Sequence, residues 1–137
     1  MKGLENYRVY TGKTFDIEFY FTKQGKMPGF DYYQELAEDA RRRFFVVIGH
    51  FADAPFGAVF PKTILNIEDK SEGIYAFKPF IHRFFCFFSK DRKIIILNAY
   101  QKHSQSMSKA DKSLLKKAVR LKQDYEIRIA KGNYYYE

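Results

Sequence analysis

Hydrophobic and polar positions alternate strictly in 15-FDIEFYF-21, with Phe15, Ile17, Phe19 and Phe21 on one side and Asp16, Glu18 and Tyr20 on the other. Alternation with a period of two sends successive side chains to opposite faces, so this stretch is expected to be a half-buried strand. The following 22-TKQGKMPGF-30 has Gly and Pro but no period, and is expected to be a loop. From 31 to 51 the period becomes helical. Tyr33, Leu36, Ala37, Ala40, Phe44, Val47, Ile48 and Phe51 recur at three- and four-residue intervals, which predicts one long helix with Asp31 as its cap.

Pro55, Gly57 and Pro61 interrupt residues 52–73, leaving room for a short helical turn or an irregular strand at most. Three strands are predicted next, at 74–79, 81–88 and 93–100, with 89-SKDR-92 as a tight turn between the last two. Pro79 cannot donate to a central ladder and marks a break between the first two. After that the helical period returns. Ser108 and Asp111 form a capping box, and Leu114, Ala118, Leu121, Tyr125 and Ile129 make the apolar stripe of a helix ending near Gly132.

These elements predict an α+β fold: a small antiparallel sheet of about four strands, the long N-terminal helix packed on it, and a C-terminal helix. One domain is expected, with a core over 15–131 and terminal extensions at 1–14 and 132–137. The 15 Phe and 11 Tyr among 137 residues suit a sheet covered by helices, because large flat side chains fill the space between a pleated surface and its cover. The lone Cys86, inside an apolar run, has no partner for a disulfide and points to a reducing compartment. No signal peptide or membrane-spanning run is evident, so a cytoplasmic location is expected.

Charge adds a second layer. The net charge is +8, and it is unevenly placed: residues 1–72 hold 10 Lys and Arg against 11 Asp and Glu, while residues 73–137 hold 14 against 5. A basic half of this kind makes a positive face that attracts a polyanion such as nucleic acid, or it serves only to keep the surface solvated. Lys112, Lys116 and Arg120 line one face of the C-terminal helix, where they are placed to contact RNA or the ribosome.

Parity singles out one cation. In 81–87, Arg83 shares a face with Ile81, Phe85 and Phe87, and a guanidinium on an apolar face must reach water or an anion. Snorkelling at the sheet edge and pairing with an acid such as Glu72 both satisfy that demand without any function.

The ordered motifs give Arg83 another context. The series 73-GIYAFK-78, 82-HRFFCFF-88 and 94-IIILNAYQKHSQSMSK-109, followed by spaced Ala118, Arg120 and Tyr125, resembles the RelE/ParE toxin superfamily in its HigB-like branch. That pattern is approximately Gly-Leu-Tyr-Glu-Leu-Arg, then Tyr-Arg-Ile-x-Tyr-Phe, then Ile-Val-Leu-Leu-His-x-Phe-x-Lys-Lys-Thr-Gln-Lys-Thr-Pro. The upstream 16-DIEFYFTKQGKMPGFDYYQEL-36 is similar to the family's opening strand, loop and helix, so the resemblance spans most of 15–128. Lys78 falls on the Arg that ends the first motif, Arg83 on the Arg of the second, and Lys102 on the first Lys of the third. Tyr100 takes the place of the preceding aromatic, which the resemblance implies as a contact to RNA or the ribosome. Ala76 stands where the motif has Glu, His82 where it has Tyr, His103 where it has its second Lys, and Ser108 where it has Pro.

What the resemblance implies is the toxin of a toxin–antitoxin system: an endoribonuclease that cleaves mRNA on the ribosome by 2′-OH attack on the phosphodiester. Its expected partners are a cognate antitoxin of helix-turn-helix type, mRNA on the ribosome with its rRNA, and operator DNA only through the antitoxin. Neither a cofactor nor a metal is expected. The implied catalytic set is Lys78, Arg83 and Lys102, with His82 and His103 as candidates for proton transfer in place of the missing Glu. Cations neutralise the crowded phosphorane, and a group that titrates near neutrality moves protons at the 2′- and 5′-oxygens. His50, near a helix end, is expected to be structural or to partner the helix dipole. Two rivals stand beside this reading: a ParE-like poison of DNA gyrase without nuclease activity, and a non-catalytic basic RNA- or DNA-binding module whose cations only anchor phosphate.

Overall fold

The computed structural model describes residues 6–135. Its elements are β1 (Arg8–Thr11), β2 (Asp16–Phe19), α1 (Pro28–Gln34), α2 (Glu38–Asp53), β3 (Leu65–Asp69), β4 (Ile74–Phe77), β5 (His82–Phe88), β6 (Lys93–Gln101) and α3 (Lys109–Ala130). The strands form one six-stranded sheet in the order β1-β2-β6-β5-β4-β3.

The expected four-stranded antiparallel sheet is therefore corrected to a six-stranded mixed one. β2 runs parallel to β6, pairing Asp16 with Lys93 and Phe19 with Ile96, while every other neighbouring pair is antiparallel. A parallel pair needs a long crossover, and here the whole chain from α1 to β5 supplies it. β1 and β3 add the two edges. Both are short and irregular in register, so their sequence signals are weak.

The single long N-terminal helix is likewise corrected to two. α1 starts with Pro28 at its first turn, a position where proline's missing N–H costs nothing, and Met27 rather than Asp31 is the cap residue. The chain turns extended at Ala37 before α2 begins. Glu38 and Asp39 favour a fresh helix start through the dipole, and the Asp39 carboxylate accepts from the Ala40 N–H instead of leaving the backbone to continue. Arg41 Nη2 donates to the Gln34 carbonyl at 2.6 Å, tying the end of α1 across the break.

Helices cover both faces of the sheet. On one, Phe44 of α2 packs against Phe19, Phe77 and Phe84 with ring centroids 5.0–6.1 Å apart. On the other, Tyr125 of α3 meets Phe87 at 5.4 Å, and Asn98 Nδ2 donates to the Leu114 carbonyl. This double cover changes β2, which is buried on both faces rather than one: Glu18 is 6 % exposed. Its carboxylate accepts from the Tyr135 hydroxyl at 2.6 Å and lies 3.5 Å from Lys93 Nζ. The capping box of α3 forms as expected, Ser108 and Asp111 bonding reciprocally, and Gly132 takes a φ of 73° just past the helix end.

The expected extensions at 1–14 and 132–137 lie partly outside the described residues. Within them, β1 joins the sheet and Tyr134 is buried, its ring stacked on Phe21 at 4.2 Å. Gly12 makes the approach to α2 possible, because a Cβ there would stand 2.4 Å from Ala52 Cβ. Among the described residues no helix is long and apolar enough to cross a membrane.

Candidate functional site

Four strands converge on a small cavity beyond the N-terminal end of α3. Its volume is about 130 Å³, and Lys78, Arg83, Tyr100 and Lys102 all line it, with Asn66 and Glu68 from β3. The loop from Lys102 to Ser108 closes one side with Gln105, Ser106 and Met107, and Asp111 contributes from the first turn of α3. A larger cavity, about 680 Å³, lies elsewhere around Phe15, Phe56, Tyr75 and Phe88 and is mostly apolar, with Lys90 and Arg92 at its margin. Density of charge, not size, distinguishes the small one.

Backbone carbonyls hold two of the cations. Lys78 follows β4; its N–H donates to the Ile64 carbonyl, and Nζ donates to the Lys62 carbonyl at 2.7 Å. Arg83 is the second residue of β5, and its Nη1 donates to the carbonyls of Phe80, at 2.8 Å, and His82, at 3.0 Å. No pair with Glu72 forms; the guanidinium is held instead by the chain of its own turn. Tyr100 stands opposite Arg83 in the β5–β6 register, 7 % exposed, its ring 5.4 Å from Phe85. Lys102 lies just past β6, where its N–H donates to the Ile81 carbonyl.

Crowding acts on Lys78, Arg83 and Tyr100. Partial burial lowers the Lys78 pKa, the Arg83 and Lys102 charges lower it further, and Glu68 opposes them. Burial likewise lowers the Arg83 pKa and raises that of the Tyr100 phenol. An ammonium with a depressed pKa releases its proton more readily than an ordinary lysine.

Glu68 was not singled out from the sequence. It shares a face with Asn66, two residues earlier, and Asn66 pairs with Ala76, the position where the resembling motif has Glu. Ala76 is fully buried, so the carboxylate arrives instead from the neighbouring strand. Asn66 Nδ2 donates to Glu68 Oε2 at 3.0 Å and orients it, and Glu68 acts electrostatically on Lys78, Arg83 and Tyr100 alike. The alternation of Leu65 and Ile67 with Asn66 and Glu68 was the available signal, obscured by the prolines before it. Asp111 is the other acid present, but its carboxylate is engaged by the Ser108 N–H.

The histidines fall elsewhere. His82 neighbours Arg83 on the strand and therefore projects to the opposite face, where its Nδ1 is 2.7 Å from the Tyr32 hydroxyl. Burial lowers its pKa, with Arg83 adding to the effect and Asp39 opposing it. His103 is exposed and does not line the cavity. His50 is in the last turn of α2, its ring 5.4 Å from Phe60. Lys112, Lys116 and Arg120 are exposed on α3, outside the cavity. No group of three or more His, Cys, Asp or Glu gathers in metal-binding fashion among the described residues.

The arrangement is a pocket for an anion lined by three cations and two carboxylates, of which Asp111 is engaged in the helix cap and Glu68, oriented by Asn66, faces a lysine of lowered pKa. No curated protein matches the chain. Residues 31–123 match the family described as Phage derived protein Gp49-like (DUF891), a span that is more than half of the chain and contains every cavity residue. The chain therefore belongs to this phage-derived Gp49-like family, a toxin-like family related to the RelE/ParE type.

Proposed function

We propose that the protein is the toxin of a toxin–antitoxin pair, of HigB-like character, and that it cleaves mRNA on the ribosome at the cavity of Lys78, Arg83, Lys102 and Glu68. Family membership supports the toxin assignment. The observation that carries the nuclease reading is the meeting of three cations with the Glu68 carboxylate, which the helix cap does not engage, in about 130 Å³. A binding module needs the cations alone; the acid among them is what RNA cleavage adds.

In this mechanism Glu68 removes the proton of the 2′-OH, and the 2′-oxygen attacks the adjacent phosphorus. Arg83 and Lys102 neutralise the charge that builds on the phosphorane oxygens. Lys78 donates a proton to the 5′-oxygen as the P–O bond breaks, leaving a 2′,3′-cyclic phosphate and a free 5′-OH. Tyr100 holds the Arg83 side of the pocket, and Lys112, Lys116 and Arg120 extend the positive surface along α3 toward RNA. His82 and His103 are not assigned steps here, because neither lines the cavity.

The antitoxin, in this reading a helix-turn-helix protein that also holds operator DNA, is more acidic than this chain and covers or distorts the cation cavity. Its complementarity to the basic half gives both affinity and selectivity. The test is cleavage of ribosome-bound mRNA by the purified protein, with Arg83→Ala and Lys102→Ala alongside. Parental rates in both folded variants would place the active site elsewhere. Inhibition of gyrase with intact mRNA would replace the nuclease by the ParE-like alternative.

A further inference from the structure

The turn joining β4 to β5 displays apolar side chains that the core does not use. Phe80 is 54 % exposed and Ile81 51 %, both in a segment flanked by cavity residues Lys78 and Arg83. Phe80 also has a φ of 57°, the left-handed region that a bulky side chain disfavours and that glycine or asparagine would occupy more easily. The conformation is nonetheless held at several points. Pro79 is buried, its carbonyl accepts from the His82 N–H, the Phe80 carbonyl accepts from Arg83, and the Ile81 carbonyl accepts from Lys102. The Arg83 guanidinium and the backbone N–H groups of His82 and Lys102 thus fix the backbone around an exposed aromatic.

A disfavoured backbone carrying an exposed ring, braced by site residues, is the signature of a contact surface rather than of folding. We propose that Phe80 is a stacking platform for an unpaired nucleobase next to the phosphate held in the cavity, so that the site selects single-stranded RNA. This rests on the nuclease reading and adds the recognition element that the cations lack, since phosphate contacts position a strand without engaging its bases. Stacking suits the location because every base has a π-face, whereas bases inside a duplex are stacked on each other and have no face to offer.

The chain has no tryptophan, so Phe80→Trp introduces a single fluorescent reporter. Titration with a short single-stranded oligoribonucleotide, made uncleavable by 2′-O-methyl groups, is expected to quench it to saturation. Inorganic phosphate alone and the same sequence as a duplex should not. Phe80→Ala and Phe80→Leu should weaken binding by roughly 5- to 150-fold, as loss of one stacked base predicts, while Phe80→Tyr stays close to the parent. Binding unchanged in Phe80→Ala while Arg83→Ala loses it would overturn the platform and leave the nuclease site standing. Failure of Phe80→Ala to bind an antitoxin, with RNA binding intact, would make the ring a protein contact and also overturn the proposal. If the parent neither bound nor cut single-stranded RNA, free or on the ribosome, both readings would fall together.

Discussion

Arg83 and Tyr100 face each other across β5 and β6 as a registered pair, one a charge held by backbone carbonyls, the other a nearly buried phenol. The pair sits where the apolar face of the sheet ends and the cavity begins, so a guanidinium that burial would penalise is anchored at the margin. Arg83→Ala is expected to lower cleavage of ribosome-bound mRNA by about 10²–10³-fold, the usual cost of removing one group aimed at developing charge. The free energy of unfolding should fall by no more than about 1–3 kcal/mol, the cost of losing a charged donor to two turn carbonyls. Arg83→Lys should not restore the rate, because Nη1 is engaged by the two carbonyls and only a guanidinium has a second terminal nitrogen to offer a phosphate.

Glu68→Gln separates chemistry from binding. The amide keeps the shape and a bond to Asn66 but cannot take a proton, so single-turnover cleavage should fall by about 10²–10⁴-fold while RNA affinity holds or rises. Removal of the acid limb from the pH–rate profile is the specific sign. An unchanged profile with lowered affinity would make Glu68 a positioning residue for Lys78.

His82 predicts an effect on stability rather than on catalysis. Its folded-state pKa is lowered, mainly by burial, so the unfolded chain takes up the proton first as pH falls. Its stabilising contribution is present above the ordinary histidine pKa and is lost as pH drops through the folded value. The melting temperature should therefore fall between about pH 7 and pH 5. His82→Gln should flatten that part of the curve without altering cleavage per folded molecule at pH 7.

Lys112, Lys116 and Arg120 are exposed and predict a different signature. Each replaced by Ala should weaken RNA or ribosome binding almost independently of sequence, and should reduce the slope of log K against log salt by about 1 where a phosphate contact is lost. Cleavage should recover at higher protein concentration.

Tyr134→Ala tests whether the C-terminal segment is part of the core. Tyr134 stacks on Phe21, meets Tyr125 and Arg128, and its hydroxyl accepts from the Phe21 N–H at 3.0 Å. Loss of a buried aromatic of this kind costs about 3–5 kcal/mol. Tyr134→Phe, which leaves that N–H unpaired, should cost about 1–3 kcal/mol. Chemical denaturation with both variants measures the two contributions.

The features legible in the sequence were local. Ser108 and Asp111 cap a helix through atoms three residues apart, and Gly132 ends it. Parity along 82-HRFFCFF-88 puts Arg83 on an apolar face before any fold is known, and the continuous apolar runs of β5 and β6 mark them as strands. Lys78, Arg83 and Lys102 could be named as candidates because each stands at a fixed position in a motif.

The tertiary structure decided whatever depended on a distant partner. Alternation in 15–21 is the same whether the strand pairs parallel or antiparallel and whether one face or two are covered, so neither the β2–β6 pairing nor the burial of Glu18 was readable. The apolar period ran through Glu35–Ala37 without a break, because the turn there keeps Leu36 buried while the backbone leaves the helix. Glu68 reached the cations only through the β3–β4 register, which slips by a residue between Ile67 and Asp69. His82 and His103 carried suitable chemistry by composition, but strand geometry turned one toward Tyr32 and left the other in solvent. Local periodicity records which face a side chain occupies within its own element; only packing between elements settles what that face meets.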